Sequence, residues 1–227
     1  MIHASRRSVR RMNRSQTLVE LLEARRLLSG GVRVSFDAEA NTVHVVGDDK
    51  PNEIFVGGEF MLSYTIQGLD GTRVNGGDSV SFPAAGFFGQ SFVISLGNGD
   101  DSVQIGEPGD PITHGFSGNA ISIATGNGND NVGIFGITSF GGVQIATGNG
   151  DDQVQVDFAN IDNGLSIDTG NGNDTLEFGN TGTGVTVFSN DIDLNGGRGN
   201  DVLDGIKHLH TFSTGQVITI ENFETIL

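Results

Sequence analysis

Five short turns recur along this chain: GNGDD at 97–101, GNGND at 126–130, GNGDD at 148–152, GNGND at 170–174 and GRGND at 197–201. Their first glycines lie 29, 22, 22 and 27 residues apart. Self-similarity at a period in the low twenties is the mark of a stacked repeat, and it restricts the fold more than any local propensity does. The flanks repeat as well. The positions five and three residues before each first glycine are Phe92/Ile94, Ile121/Ile123, Val143/Ile145, Leu165/Ile167 and Ile192/Leu194. Six and eight residues after it come Val103/Ile105, Val132/Ile134, Val154/Val156 and Leu176/Phe178, while the last unit has Leu203 and then Gly205. Alternation with period two on both sides of a polar turn predicts strand, turn, strand, with apolar side chains pointing one way.

A single unit cannot bury that apolar face by itself. Stacking sets each strand about 4.8 Å from its counterpart one coil away and joins the apolar positions into continuous ladders. The expectation is an all-β chain forming a right-handed parallel β-solenoid of about 22 residues per coil, the hand following from the general rule for parallel crossovers. Residues 91–227 contain the five turns and are assigned to this solenoid. Residues 31–90 keep a degraded pattern, as in GDDKPNEIFV at 47–56 and VNGGDSVSF at 74–82. They are expected to form degenerate first coils or a β cap that protects the sheet edge. The longer intervals are accommodated by insertions such as GEPGDPITHG at 106–115, and GQVITIENFETIL at the end adds two short strands.

Charge is unevenly distributed. Of 12 basic residues, seven (Arg6, Arg7, Arg10, Arg11, Arg14, Arg25 and Arg26) fall in the first thirty, whereas from residue 31 onward 26 acids face 5 bases. Such a body repels nucleic acid and anionic lipid and attracts cations. The absence of cysteine removes disulfides and thiolate metal sites from consideration. No apolar run is long enough for a membrane-spanning helix. Residues 1–30 read as a targeting segment, disordered or a short helix, outside the fold proper. Within them LEARRLLS, residues 22–29, resembles the LE-x-RR-LL segment near the N-terminus of many large exported proteins of planctomycete bacteria. That resemblance implies a bacterial protein that is secreted or displayed at the cell surface.

Every turn places aspartate four residues after its first glycine: Asp101, Asp130, Asp152, Asp174 and Asp201. Stacking files these acids into a column. Two carboxylates about 5 Å apart repel by roughly 1 kcal/mol in water and by several times that at an interfacial dielectric. The preceding residues, Asp100, Asn129, Asp151, Asn173 and Asn200, limit the added charge. A hard cation between coils would offset the rest. Ca²⁺ suits the task, because it takes 6–8 oxygen ligands in irregular geometry, whereas Mg²⁺ demands a strict octahedron and zinc prefers nitrogen or sulfur.

The segment GGRGNDVLDG, Gly196–Gly205, resembles the RTX (haemolysin-type) calcium-binding repeat, Gly-Gly-x-Gly-x-Asp-x-apolar-x. The other four cores carry Leu96, Thr125, Thr147 or Thr169 in place of that motif's first glycine. In the family, turn carbonyls and the aspartate hold Ca²⁺ between stacked turns of a parallel β-roll. The resemblance therefore implies a calcium site built from Asp101, Asp130, Asp152, Asp174 and Asp201. Carbonyls around Gly99, Gly128, Gly150, Gly172 and Gly199 would complete it, with Asp100 and Asp151 as accessory carboxylates. The family repeats its motif twice per coil; here it comes once, so one side alone would carry ions. A metal-free alternative fits the same residues. Asn98, Asn127, Asn149 and Asn171 can stack as a hydrogen-bonded ladder, Arg198 replacing the fifth member, with the aspartates capping turns.

The function expected on this basis is an exported, calcium-binding, non-catalytic β-solenoid serving as a structural, spacer or adhesive surface module. Its partners would be calcium ions and an unspecified cell-surface or matrix component. The rival is a β-helix enzyme acting on polysaccharide, which needs a unique cleft of carboxylates. The pairs Asp100/Asp101 and Asp151/Asp152 recur as equivalents, and the chain has no Trp and one Tyr, Tyr64. His208 and His210 are spaced to share a strand face near Asp204, as a transition-metal pair or as a solvated face.

Overall fold

The structure is a computed structural model that describes residues 30–59, 62–84, 89–108, 116–179, 185–187, 190–211 and 215–227. The segment over 1–30, where a targeting role is expected, and the insertion over 106–115 lie largely outside the described residues.

The architecture is a parallel β-solenoid. In the first sheet, seven strands stack in parallel: Thr42–Val46, Ser91–Asn98, Ile121–Asn127, Val143–Asn149, Leu165–Asn171, Ile192–Asn195 and Ile218–Glu221. The second sheet repeats the order with Glu53–Glu59, Ser102–Ile105, Asn131–Phe135, Gln153–Asp157, Thr175–Phe178, Val202–Asp204 and Thr225–Ile226. Register is set by the alternation seen in the sequence. Ile121 pairs with Phe92 on one side and Val143 on the other, and Val132 lies between Val103 and Val154. Each inward position the alternation nominated is buried, at 3% exposure or less. A slip of one residue would turn all of them outward, so the ladders lock the register.

Two features go beyond strand, turn, strand. A third sheet of short strands, Ser117–Gly118, Thr138–Ser139, Ala159–Ile161, Val185–Val187 and Leu209–Thr211, makes the coil three-sided. Left-handed residues turn the corner into it: Gly106, Gly136, Phe158, Gly179 and Gly205, with φ between 52° and 75°. The first end is closed by antiparallel pairing. Gly31–Asp37 pairs with Thr42–Val46, and Ser63–Gly68 lies between Glu53–Glu59 and Ser79–Pro83. Within residues 31–90, Thr42–Val46 and Glu53–Glu59 join the parallel stack, while Gly31–Asp37 and Ser63–Gly68 pair antiparallel with them. Tyr64 packs edge-on against Phe92 at 5.1 Å and donates a hydrogen bond from its hydroxyl to the Ser117 carbonyl, sealing the core there.

The glycines of the turn permit the close stacking. Gly150 has φ +132°, and a Cβ there would lie 1.9 Å from the Gly128 carbonyl oxygen one coil below. Gly76 has φ +79° but open space around it. We expect Gly76→Ala to cost about 1 kcal/mol of left-handed strain. Gly150→Ala should cost several times as much, because two coils must also separate. Thermal melts of the two variants check this: Gly150→Ala should lower the melting temperature by at least about 5 °C more than Gly76→Ala.

Candidate functional site: a buried aspartate column

The turn between the first two sheets carries three side-chain ladders. The innermost consists of the five aspartates. They stack in file as the repeat requires, yet they point inward and are 0–3% exposed. Each reaches across to the coil below it. The backbone N–H of Asp101 donates to Asp130 Oδ1, that of Asp130 to Asp152 Oδ1, that of Asp152 to Asp174 Oδ1 and that of Asp174 to Asp201 Oδ1, all at 2.8 Å. At one end the Asn52 N–H donates to Asp101 Oδ1 at 2.7 Å; at the other, the Asp201 N–H donates to Glu224 Oε2 at 2.6 Å. The turn glycines Gly99, Gly128, Gly150 and Gly172 give their N–H groups to carbonyls of the next coil. The aspartate N–H groups turn to side chains instead, and a buried N–H without an acceptor costs about 1–3 kcal/mol. Aspartate supplies the acceptor at one coil's reach.

The second ladder runs the opposite way on the exposed rim. The N–H groups of Asn129, Asp151 and Asn173 donate to Asp100, Asn129 and Asp151 Oδ1 of the preceding coil, at 2.8–2.9 Å. The third is an amide ladder: Asn127, Asn149 and Asn171 Nδ2 each donate to the preceding asparagine Oδ1 at 2.6–2.7 Å, and Asn98 Nδ2 continues it to Asp49. Among the sequence-nominated residues, then, Asp100 and Asp151 stand in the exposed ladder and the five aspartates in the buried one. The glycine carbonyls do neither job. Those of Gly99, Gly128, Gly150 and Gly172 point along the stack at the next coil's glycine, 1.4–1.9 Å from where its Cβ would be.

The inner oxygen Oδ2 of all five aspartates is fully buried and has no hydrogen-bond partner. Beside three of them lies a threonine hydroxyl from the same turn: Thr125 next to Asp130, Thr147 next to Asp152, Thr169 next to Asp174. The single proton of each hydroxyl is committed elsewhere. Thr125 donates to the Thr147 carbonyl at 3.2 Å, Thr147 to the Thr169 carbonyl at 2.8 Å and Thr169 to the Gly196 carbonyl at 3.0 Å. Burial pushes the carboxyls of Asp101 and Asp174 up to about 6 and raises those of Asp130, Asp152 and Asp201 as well. The hydrogen bonds from backbone N–H groups pull the other way without cancelling the desolvation. In its neutral form a carboxyl can donate from Oδ2 to the threonine oxygen, and the chain carboxyl–hydroxyl–carbonyl then closes with every group paired.

An orphaned buried oxygen in each coil is the one feature here that calls for a cation. The rest of a calcium shell is short. Six to eight oxygens are required, while the glycine carbonyls face along the axis and the hydroxyls stand between the coils. Among the described residues, no three of His, Cys, Asp and Glu come together as a metal-binding group. His208 lies in the short 3₁₀ turn Ile206–His208 and His210 in the strand Leu209–Thr211, so they do not share a strand face. The inward direction of the aspartates and the threonine file were not read from the sequence. The signal was there, since Thr125, Thr147 and Thr169 occupy the next inward place after Ile123, Ile145 and Ile167. No family model, no curated protein and no solved structure matches this chain.

The raised carboxyls fix a pH dependence of unusual sign. Unfolded, they ionise near 3.8; folded, two of them hold protons to about 6. The folded chain binds the extra protons, so their contribution is largest below about 4, falls as pH rises through that window, and levels off above it. Chemical denaturation across pH 4–8 should show stability from the column declining with pH. Asp152→Asn mimics the neutral acid and keeps the acceptor for the Asp130 N–H. It should raise the melting temperature at pH 7.5 and flatten the pH profile, whereas Asp152→Ala should lower it.

Proposed function

We propose that this chain is a non-catalytic structural element, a rigid spacer or surface module outside the cell. Its coils are held by hydrogen-bonded side-chain ladders in place of calcium ions. The observation that carries the reading is the equivalence of the turns: the same carboxylate-to-backbone bond recurs from coil to coil at 2.8 Å. A repeated contact of this kind serves cohesion, because a catalytic centre needs one place unlike the others. Stacked coils that each contact only their neighbours give a stiff rod of defined length. Placement outside the cell rests on the export-type segment at residues 22–29.

The polysaccharide-acting alternative finds less support. A groove of about 390 Å³ crosses the outside of the first sheet at Ser122, Gln144, Ser166, Asp191 and Asp193, and its lining contains no basic residue and no aromatic ring. A glycosidase needs a carboxyl raised to act as acid beside one that stays ionised. The raised carboxyls here are walled off from that surface.

Thermal melts of the full chain at pH 7.5 in EGTA, in millimolar Ca²⁺ and in millimolar Mg²⁺ test the reading. The expected result is one melting temperature in all three. A rise specific to Ca²⁺ that chelator reverses would restore the ion-bound column and refute the ladder account.

A further inference from the structure

The file of threonines occupies the place in the turn where a side chain decides what fills the gap between coils. At Thr147 the hydroxyl lies between two oxygen groups: the Asp152 carboxyl of its own turn and the Thr169 carbonyl of the next coil. Thr125 and Thr169 repeat the arrangement with Asp130 and the Thr147 carbonyl, and with Asp174 and the Gly196 carbonyl. Two oxygens that face one another across a dry gap require a proton or a cation between them. The hydroxyl meets this need by donating to the carbonyl and, on its other side, accepting from Oδ2 of the carboxyl in its neutral form. All three threonines are 0% exposed.

The ends of the file show that the position is not threonine for reasons of backbone. Leu96 fills it in the first repeat, where Asn52 gives both its N–H and its Nδ2 to Asp101 Oδ1 and Asp101 Oδ2 stays without a partner. Gly196 fills it in the last, where a Cβ would lie 2.2 Å from the Asn222 carbonyl oxygen and no hydroxyl could be placed. The threonines are confined to the three middle coils, where a carboxyl and a carbonyl would otherwise meet with nothing between them.

We propose that the hydroxyls of Thr125, Thr147 and Thr169 stand in the place of inter-coil cations, and that these three residues make the middle of the solenoid independent of metal. The proposal rests on the metal-free reading above and names the residues responsible for it. It further implies a latent cation site: removing the hydroxyl while keeping the backbone leaves an oxygen-lined gap that a hard divalent ion can enter.

The test uses the full chain with Thr147→Ser, Thr147→Val and Thr147→Gly, melted in EGTA and in millimolar Ca²⁺. Ser keeps the hydroxyl, Val keeps the shape without it, and Gly opens the gap. In EGTA, Thr147→Ser should melt within about 2 °C of the parent and Thr147→Val about 5 °C lower. Thr147→Gly should melt at least as low as Thr147→Val in EGTA and recover in Ca²⁺, with one added ion per chain by calorimetric titration, while the parent and Thr147→Val do not respond. If Thr147→Val melts like the parent, the hydroxyl bridges nothing and the proposal fails. If Thr147→Gly gains nothing from Ca²⁺, the gap is no cation place and the proposal fails likewise. A parent chain that itself melts lower in EGTA overturns the metal-free reading instead, which separates the two failures.

Discussion

A carboxylate oxygen that reaches across the gap between coils to a backbone N–H is the interaction on which the rest of this structure depends. Strands in a parallel stack satisfy each other's backbone, but the turn joining two sheets has N–H groups with no ladder of their own. Aspartate has the length to reach one coil and no further, so the repeat carries it in every turn. Burial is the consequence. A side chain that serves a buried N–H must itself leave water, and Oδ2 goes in with Oδ1. The opposing terms are then large: a hydrogen bond to a charged acceptor stabilises by about 1.5–3 kcal/mol, while an isolated buried charge costs more than that unless it is paired or neutralised. The upward shift of all five carboxyls expresses that balance.

The two backbone-to-side-chain ladders run in opposite senses, and that makes the turn stiff. Asp130 takes its hydrogen bond from the coil before it, while Asn129, one residue earlier, gives its own N–H to that same coil. A coil cannot shift along the axis or rotate about it without breaking one of the two. The asparagine ladder outside them adds a third tie in water, where each bond is worth less. Glycine makes these distances possible: at Gly128, Gly150, Gly172 and Gly199 a carbonyl from the neighbouring coil lies where any Cβ would be. Stiffness of this kind is what the proposed spacer role requires.

Much of this was legible in the sequence because the repeat is the fold. The alternation around each glycine located the inward residues of two sheets, and the file of aspartates followed from stacking alone. Three things were not legible. The third sheet is built from strands of two or three residues, too short for a period to show, and Ser117, Ser139 and Ala159 carry little apolar signal. The inward turn of the aspartates ran against the ordinary expectation that an acid beside two glycines faces water. Charge repulsion directed attention to a cation, and the turn N–H groups from which the carboxylates accept were not counted. The threonines were visible as departures from a calcium-binding motif, but only the hydroxyl-to-carbonyl bonds of Thr125, Thr147 and Thr169 give that departure a physical meaning.

The central claim is that the aspartate column is held by hydrogen bonds and protons without an ion. Side-chain carboxyl ¹³C shifts of Asp101, Asp130, Asp152, Asp174 and Asp201, followed by NMR against pH in metal-free buffer and again with Ca²⁺, test it most directly. The account predicts that all five titrate above the ordinary carboxylate range and that Ca²⁺ leaves their shifts in place. Carboxyls that stay ionised down to pH 4, and that move together on addition of Ca²⁺, would contradict it.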